Sequence, residues 1–433
     1  MTHVAIVGGG VIGLSCAYEI ARRGSSVVVL ERAIDLTLGA SAGNAGLIVP
    51  SHAAPLATPA SLRQGLKWLL KPSSPFALRL RPQLAPWLAR YIVASTPRRA
   101  HRGTDLLRAL SIESLSLHRA WVEAGIETGL TTAGVLNVYE TGKALSAAVA
   151  EAEEHGRHGL NSTVLSAEEV RALEPAVAGP IIGGVLYPDE AHCDPRVMVR
   201  ALCAAAERAG AEIRAGVDVQ GVEVNGRSAV GVRTSAGLVE ADVIVLAAGA
   251  WSAFLARLVG VRLPLQGAKG YHAHVPGPAI RLPVFLQEAR VVATPVESGL
   301  RLAGTLELAG LDERVDSRRV SAIIEAGHRA LGVDTGTVQA TWAGLRPCLP
   351  DGLPAIGRSP EVPNTIIATG HSMLGLTLAP LTGIAVARLI AEEDPGIDLS
   401  LVRPGRFGKL ASTRLTGDSS SASALHIEPE RGP

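Results

Sequence analysis

The sequence predicts an α/β fold combined with an α+β portion, and three observations support this. The chain opens with a strand, a glycine-rich turn, a helix and a second strand, an order typical of a parallel sheet wound with helices. Two further apolar runs, 243–246 and 365–368, predict additional buried strands. The intervening stretches mix helical periodicity with the alternation of half-buried strands, which indicates a second, mixed antiparallel sheet.

The opening segment, residues 1–31, carries the most specific motif. Gly8 permits a tight turn, Gly10 lets a pyrophosphate approach the backbone, and Gly13 lets the helix pack on the strand. The phosphates would lie on free N–H groups at the helix N-terminus. Glu31, at the end of the second strand, is placed to accept from a ribose 2′-hydroxyl and would repel a 2′-phosphate. The motif predicts a Rossmann-like domain that binds an adenine dinucleotide other than NADP.

Separated stretches of the chain are expected to form this domain, namely 1–50, 195–260 and 335–395. The second stretch contains helical periodicity from Arg196 to Ala209, a strand-like 217–219, a hairpin at Asn225-Gly226 and the apolar run that leads to Gly249. The ranges 51–194 and 261–334 are assigned to a substrate-binding domain. Residues 412–433 lack periodicity, which predicts a disordered tail.

Composition argues against several classes of protein. The 433 residues include 41 Lys and Arg against 40 Asp and Glu, which makes no electrostatic case for nucleic-acid binding. The four cysteines are scattered, which favours a reducing compartment, and no cluster predicts a metal site. Without a signal peptide or a long apolar run, we expect a cytoplasmic protein. The Trp- and Arg-containing stretch 61–93 suits helices over an active site or peripheral contact with the inner membrane, and both alternatives stay open.

Three features indicate that the dinucleotide is FAD. The segment 41–46 offers small residues and backbone N–H groups, Gly249 ends a buried strand, and 370–377 opens a helix. A helix N-terminus directed at the flavin pyrimidine edge would stabilise the charge of the reduced ring by roughly 0.3–2 kcal/mol. No second glycine motif occurs, so one dinucleotide is expected. The residues predicted to bind FAD are Gly8, Gly10, Val11, Ile12, Gly13, Glu31, Arg32, Ser41, Asn44, Ala45, Gly46, Leu47, Val219, Gly249, Gly344, Gly370, His371, Met373, Leu374, Gly375 and Thr377.

Taken together, these motifs resemble those of D-amino acid dehydrogenases in the superfamily of FAD-dependent D-amino acid oxidase and glycine oxidase. The resemblance extends over about residues 1–408 and includes the N-terminal turn, 41–46 with Pro50, 183–188, 264–271, 301–307, 342–347, 350–354, 370–377, 397–399 and 406–407. It implies transfer of a hydride from the α-carbon of a D-amino acid to flavin N5. Hydrolysis of the imine would then give a 2-oxo acid and ammonia, and a quinone or oxygen would reoxidise the flavin.

The resemblance also implies a catalytic role for Arg346, which occupies the position that binds the substrate carboxylate in related enzymes. A planar guanidinium suits a carboxylate, and each charge-assisted hydrogen bond would contribute about 1.5–3 kcal/mol. Tyr271 is a candidate second donor to the carboxylate. Ser372 departs from the family's Gly-His-Gly turn, and His371 either lines the flavin or is a structural histidine.

Several alternatives stay open at this level. The same chemistry on a secondary amine would make the chain a D-hydroxyproline, D-proline, sarcosine or glycine oxidoreductase. The chain could instead be the flavin-carrying electron-relay subunit of a hetero-oligomer. The sequence leaves the choice of substrate side chain, the oxidant, covalent attachment of FAD and a homo- or hetero-oligomeric state undecided.

Overall fold

The structure, a computed structural model, describes residues 1–68, 76–78, 81–296 and 299–408. The predicted tail at 412–433 lies outside these residues, as do 69–75 and 79–80 within the Trp- and Arg-containing stretch. The helices are α1 (Val11–Ala21), α2 (Pro59–Trp68), α3 (Ala85–Ala94), α4 (Pro97–Glu123), α5 (Gly142–Arg157), α6 (Ala167–Leu173), α7 (Pro195–Arg208), α8 (Ser252–Leu258), α9 (Ser317–Leu331) and α10 (Ala379–Ile390).

The strands of the described residues form four sheets. They are β1 (His3–Val7), β2 (Ser26–Glu31), β3 (Leu47–Ile48), β4 (Phe76–Leu78), β5 (Val135–Tyr139), β6 (Thr163–Ser166), β7 (Gly183–Tyr187), β8 (Ala191–His192), β9 (Ala211–Ala215), β10 (Val219–Asn225), β11 (Ser228–Thr234), β12 (Gly237–Glu240), β13 (Val243–Leu246), β14 (Gln266–Val275), β15 (Val284–Leu286), β16 (Val291–Val296), β17 (Gly299–Leu308), β18 (Ala340–Cys348), β19 (Ala355–Arg358) and β20 (Thr365–Thr369).

The predicted parallel sheet is confirmed, with strand order β19-β20-β13-β1-β2-β9. Its neighbours run parallel except for β19 against β20. Helices α1, α7 and α10 pack together on one face, while α8 and the β10–β12 meander contribute to the core on the other. Because β1 lies between β13 and β2, the glycine turn leaves the carboxyl edge in the middle of the sheet, where parallel sheets bind ligands.

The predicted mixed antiparallel sheet is also confirmed, with order β18-β14-β17-β16-β15-β5-β7-β6 and with β4 beside β17. The register of β14 on β18 pairs Ala268 with Arg346 and Tyr271 with Ala343. Because side chains alternate along a strand, Arg346 and Tyr271 lie on opposite faces of this sheet. Tyr271 and Ala343 belong to the apolar core that includes Ile323 of α9.

Helix boundaries follow local capping chemistry. The side chain of Asp194 accepts the N–H of Arg196 at the start of α7, with Pro195 at the first helical position. Asp316 caps α9 in the same way, and Gly332 ends α9 in the left-handed conformation at φ 64°. Asp194 and Pro195 thus start α7 at Pro195, and the helix ends at Arg208. Both ends lie one position earlier than in the predicted range 196–209.

The structure differs from the sequence analysis in two predicted ranges, 335–395 and 217–219. Residues 335–395, assigned by the sequence to the FAD-binding domain, supply β18 to the mixed sheet and β19 and β20 to the parallel sheet. The strand expected at 217–219 begins at Val219. The division of the chain into domains by residue range stays a proposal. Within the described residues, no helix combines the length and apolar character needed to cross a membrane.

A buried carboxyl between β7 and β8 predicts a pH-dependent stability. Glu190 is 2% exposed, and its Oε1 accepts the backbone N–H of Ser51 at 2.7 Å. Burial raises the pKa of Glu190 to about 8, partly offset by that N–H. Between the ordinary value of 4.5 and about 8, the folded state therefore holds a proton that the unfolded state releases. The free energy of unfolding must fall as the pH rises through this window.

We expect Glu190→Gln to remove this contribution. The variant should melt at a higher temperature than the parent at pH 8, and the difference should nearly vanish near pH 4.5, where the carboxyl is neutral in the folded state and only half ionised in the unfolded state. Thermal unfolding followed by circular dichroism from pH 4.5 to 8.5 measures the difference. A difference in melting temperature between the two proteins that stays the same from pH 4.5 to 8.5 would contradict the expectation.

Candidate active site

A cavity of about 1590 Å³ extends from the carboxyl edge of the parallel sheet to strand β18 of the mixed sheet. Fourteen of the predicted FAD-binding residues line it: Gly8, Gly10, Val11, Ile12, Glu31, Arg32, Ser41, Asn44, Ala45, Val219, Gly249, Gly344, His371 and Gly375. The other predicted residues are not part of the lining: Gly13, Gly46, Leu47, Gly370, Met373, Leu374 and Thr377. The structure thus brings together residues from stretches that are far apart in the sequence.

The glycine turn is closely packed around its backbone. Gly8 has φ 110°, and a Cβ there would lie 2.5 Å from the carbonyl oxygen of Ala247 on the neighbouring strand. A Cβ on Gly13 would lie 1.9 Å from the carbonyl oxygen of Gly8, so only glycine lets α1 approach the turn. Gly10 precedes α1 and leaves the helix N-terminus open toward the cavity wall. Such a terminus binds phosphate oxygens through its N–H groups.

The end of the cavity at which the sequence predicts the adenosine to bind is formed by residues at the end of β2. The carboxylate of Glu31 accepts the backbone N–H groups of Gly9 at 2.7 Å and Ala33 at 2.9 Å. A carboxylate has further acceptor positions for a ribose hydroxyl. Arg32 lies 3.7 Å above the ring of Trp251, and its guanidinium is 3.5 Å from the Glu313 carboxylate.

The segment 41–46 continues the wall from the glycine turn. The hydroxyl of Ser41 accepts the N–H of Val11 at 3.0 Å, which joins the segment to the start of α1. Gly46 has φ 87°, and its carbonyl oxygen accepts the N–H of Cys193 at 2.9 Å. Leu47 begins β3, which pairs with β8. Gly46 and Leu47 therefore hold the end of the segment instead of lining the cavity.

Arg346 lies half-buried on the cavity wall, directed from β18 over Gly270. A Cβ on Gly270 would come within 2.2 Å of the guanidinium, so this glycine makes room for it. Arg346 Nη1 donates to the carbonyl oxygen of Thr305 at 3.0 Å, and Thr305 has φ 65° within an irregular part of β17. Burial lowers the pKa of Arg346. Among the residues that the structure describes, no carboxylate pairs with this cation.

Tyr271 lies apart from Arg346 although both border the cavity. Its side chain is 1% exposed on the α9 face of the mixed sheet, and its hydroxyl donates to Glu307 at 2.5 Å. The register places the phenol across the sheet from the guanidinium. The structure thus does not bring Tyr271 beside Arg346 as a second donor to one carboxylate.

The segment 370–377 consists mainly of turns. The helix that it was expected to open, α10, begins only at Ala379. His371 Nε2 lies 3.1 Å from the hydroxyl of Thr382, which itself donates to Leu378. Burial lowers the pKa of His371 to about 3, so the ring is neutral and donates through Nε2. Ser372 has φ 52°, a conformation that glycine adopts without strain. The Gly-His-Gly turn that the resemblance implies would therefore be free of this strain.

The cavity wall also includes residues that were not among the predicted site residues, and three of them are Trp251, Trp342 and Arg81. The Trp342 indole donates to the carbonyl oxygen of Leu38 at 3.2 Å and packs against Gly43 and Gly344, where a Cβ would lie about 2 Å from its ring. The scarcity of aromatic residues was the available signal for the two tryptophans. No motif in the sequence distinguishes Arg81 from other arginines.

The residues present fit an FAD molecule. An open helix N-terminus follows a turn that tolerates no side chain at Gly8 or Gly13, and an acid lies at the end of β2. A Cβ on Gly10 would come within 3.1 Å of the Ser41 hydroxyl, beside the helix N-terminus at which phosphates are expected to bind. We call the glycine turn and the N-terminus of α1 the glycine cradle. The cavity continues beyond this cradle to Arg346, which leaves space for the flavin and for a substrate.

Comparisons with known proteins agree with this geometry. The DAO family model, described as FAD dependent oxidoreductase, matches residues 3–389. The chain is 34% identical over 417 residues to a D-amino acid dehydrogenase of Paramagnetospirillum magneticum, covering 93% of this chain and 98% of that protein. It is 35% identical over 423 residues to D-amino acid dehydrogenase 2 of Ralstonia nicotianae, covering 91% and 98%.

Solved structures share the fold. Glycine oxidase from Geobacillus kaustophilus has a TM-score of 0.73 at 25% identity and covers 94% of this chain and 99% of that one. L-Proline dehydrogenase from P. horikoshii has a TM-score of 0.74 at 18% identity, with coverage of 94% and 97%. Since the family model spans most of the chain and the relatives match over nearly their whole length, this protein belongs to the DAO family of FAD-dependent oxidoreductases.

Proposed function

We propose that this protein oxidatively deaminates D-amino acids to 2-oxo acids and ammonia. The observation that carries the proposal is Arg346, a cation on the cavity wall with no carboxylate partner among the described residues. Partial desolvation of a cation on a cavity wall is costly, and an anion that binds it there offsets this cost. The carboxylate of an amino acid is such an anion, and both curated relatives described above are D-amino acid dehydrogenases.

Each residue at this end of the cavity has a defined task in the proposal. Arg346 binds the substrate carboxylate through its guanidinium, whose orientation is set by the Thr305 carbonyl oxygen. Gly270 leaves the space that the guanidinium occupies. Two contacts to one carboxylate restrict rotation of the substrate and hold its α-carbon in place for transfer.

When bound, FAD accepts the hydride that leaves the α-carbon. The substrate nitrogen gives up a proton to solvent water, a second water molecule hydrolyses the resulting imine, and ammonia and a 2-oxo acid are released. No side-chain base is required for the α-hydrogen, because it leaves with its electron pair. This agrees with a wall on which His371 is neutral and its Nε2 is hydrogen-bonded to Thr382.

Anaerobic reduction of the bound flavin tests the proposal. Purified protein loaded with FAD is mixed without air with D-alanine, L-alanine, D-proline, sarcosine and glycine, and the absorbance of the oxidised flavin is followed. We expect bleaching by D-alanine and none by L-alanine. Bleaching by D-proline, sarcosine or glycine alone would assign the chain to secondary amines or glycine. A flavin that no amino acid reduces would overturn the proposal and favour an electron-relay subunit.

A further inference from the structure

Four consecutive carbonyl groups of the segment 42–45 are held by side chains of the mixed sheet. Arg301 Nη1 donates to the carbonyl oxygens of Ala42 at 3.2 Å and Asn44 at 2.7 Å. His272 Nδ1 donates to that of Gly43 at 3.0 Å, and the Thr294 hydroxyl donates to that of Ala45 at 2.7 Å. The donors come from β14, β16 and β17, three adjacent strands of the mixed sheet.

Arg301 is the centre of this arrangement. It is 0% exposed, and its Nε donates to His274 Nε2 at 2.9 Å. Burial lowers the pKa of Arg301 to about 10, while the Asp194 carboxylate, 3.9 Å from Nη2, acts in the opposite direction. Burial and the Arg301 charge lower the pKa of His274 to about 4, so this ring is neutral and can accept. A buried guanidinium whose closest contacts are carbonyl dipoles is stable only while the segment keeps this conformation.

The orientation of the carbonyl groups determines the direction of the N–H groups. Within a trans peptide the two point in opposite directions, so the N–H of Ala45 points away from Arg301. The N–H groups of Gly43, Asn44 and Gly46 have acceptors inside the segment or just before it. That of Ala45 has none within the described part of the chain, and Ala45 lines the cavity. A backbone donor that faces a cavity is open to a partner there, either water or a bound ligand.

We infer that Arg301 is a positioning residue for the cofactor: it holds the carbonyl groups of 42–45 on the mixed sheet and thereby presents the Ala45 N–H to FAD. His272 and Thr294 complete the same clamp. The mixed sheet, and not only the parallel sheet, thus determines how FAD is bound. The inference depends on the cofactor and not on the substrate class, so it stands or fails separately from the proposed deamination.

The test compares Arg301→Met with Arg318→Met, whose parent side chain on α9 is 90% exposed. Titration of cofactor-free protein with FAD, followed by flavin fluorescence, should show a Kd at least about tenfold higher for Arg301→Met, as expected for loss of charge-assisted bonds. The visible spectrum of the loaded variant should change, and its flavin potential should become more negative. Amide hydrogen exchange in the cofactor-free variant should accelerate across 42–47 and not in β1. Arg318→Met should match the parent in every measurement.

Two further variants keep the inference testable if Arg301→Met folds poorly. Thr294→Val removes only the hydroxyl donor to Ala45 and should raise the Kd for FAD by a few fold, in the same direction. Arg301→Lys keeps the charge without the planar fork and should restore part of the affinity. If Arg301→Lys had the full affinity of the parent for FAD, the charge alone would account for binding. That result would overturn the inference that the planar guanidinium holds the carbonyl groups of 42–45. Unchanged Kd, spectrum and exchange in Thr294→Val and Arg301→Met would overturn it as well.

Discussion

Replacement of Arg346 by methionine is expected to lower kcat/KM for D-amino acids by two to four orders of magnitude while FAD stays bound. The guanidinium would lose up to two charge-assisted hydrogen bonds to the substrate carboxylate, each of about 1.5–3 kcal/mol, and about 1.4 kcal/mol corresponds to a factor of ten. Methionine keeps the unbranched part of the side chain up to the position of Nε and leaves Gly270, on which the guanidinium lies, unobstructed. Steady-state kinetics with an artificial electron acceptor measures the loss.

Arg346→Lys is the matched control, since it keeps the charge but cannot make a planar bidentate contact. Its kcat/KM should lie between those of the parent and the methionine variant. The flavin content and visible spectrum of both variants should equal those of the parent, because the Arg346 hydrogen bond in the structure goes to the Thr305 carbonyl and not to the glycine turn. A methionine variant with the kinetics of the parent would remove Arg346 from the substrate site.

Replacement of Gly10 by valine is expected to abolish retention of FAD. The glycine lies on the cavity wall immediately before α1, where the pyrophosphate approaches the helix N-terminus. The first added carbon comes within 3.1 Å of the Ser41 hydroxyl, and the two methyl groups of valine extend further into the space for the phosphates. The measurement is the ratio of flavin absorbance to protein absorbance after purification and after dialysis against excess FAD.

Gly156→Val is the control for this experiment. Gly156 lies exposed in α5, and nothing lies within 4 Å of a Cβ built there. This control separates the general cost of a β-branched residue in place of glycine from the loss of the phosphate position. The control variant should stay yellow, and the Gly10 variant should be colourless but folded by circular dichroism. A yellow, fully loaded Gly10→Val protein would contradict the assignment of the cradle.

The glycine turn could be predicted because its constraints are local. Gly8 and Gly13 contact backbone atoms of the same strand–turn–helix unit or of the neighbouring strand, so their spacing in the chain carries the geometry. Arg346 and Tyr271 illustrate the opposite case. Both belong to motifs of the family, and yet the pairing of β14 with β18 decides which face each side chain occupies. A shift of one residue would exchange these faces, and nothing in either strand alone specifies it.

The start of α10 was predicted too early for a related reason. The apolar segment 374–378 has helical character in sequence, but His118 binds the carbonyl oxygens of Leu376 and Thr377 from α4. This contact across the fold accompanies a run of turns that delays the helix to Ala379. Local periodicity contains no information about a side chain contributed by another helix.

The amino-acid sequence alone predicted a parallel nucleotide-binding sheet and a glycine turn for a dinucleotide, because strand, turn, helix and second strand all lie within residues 1–31. It offered Arg346 as a candidate for binding an anionic substrate only through the resemblance of its motif to a known family. Only the tertiary structure decided that Tyr271 lies across the sheet from that arginine, and that Arg301, His272 and Thr294 hold one loop of the cavity wall. The physical reason is that these contacts join strands and loops whose distance in space is set by strand register and packing, which no single segment encodes.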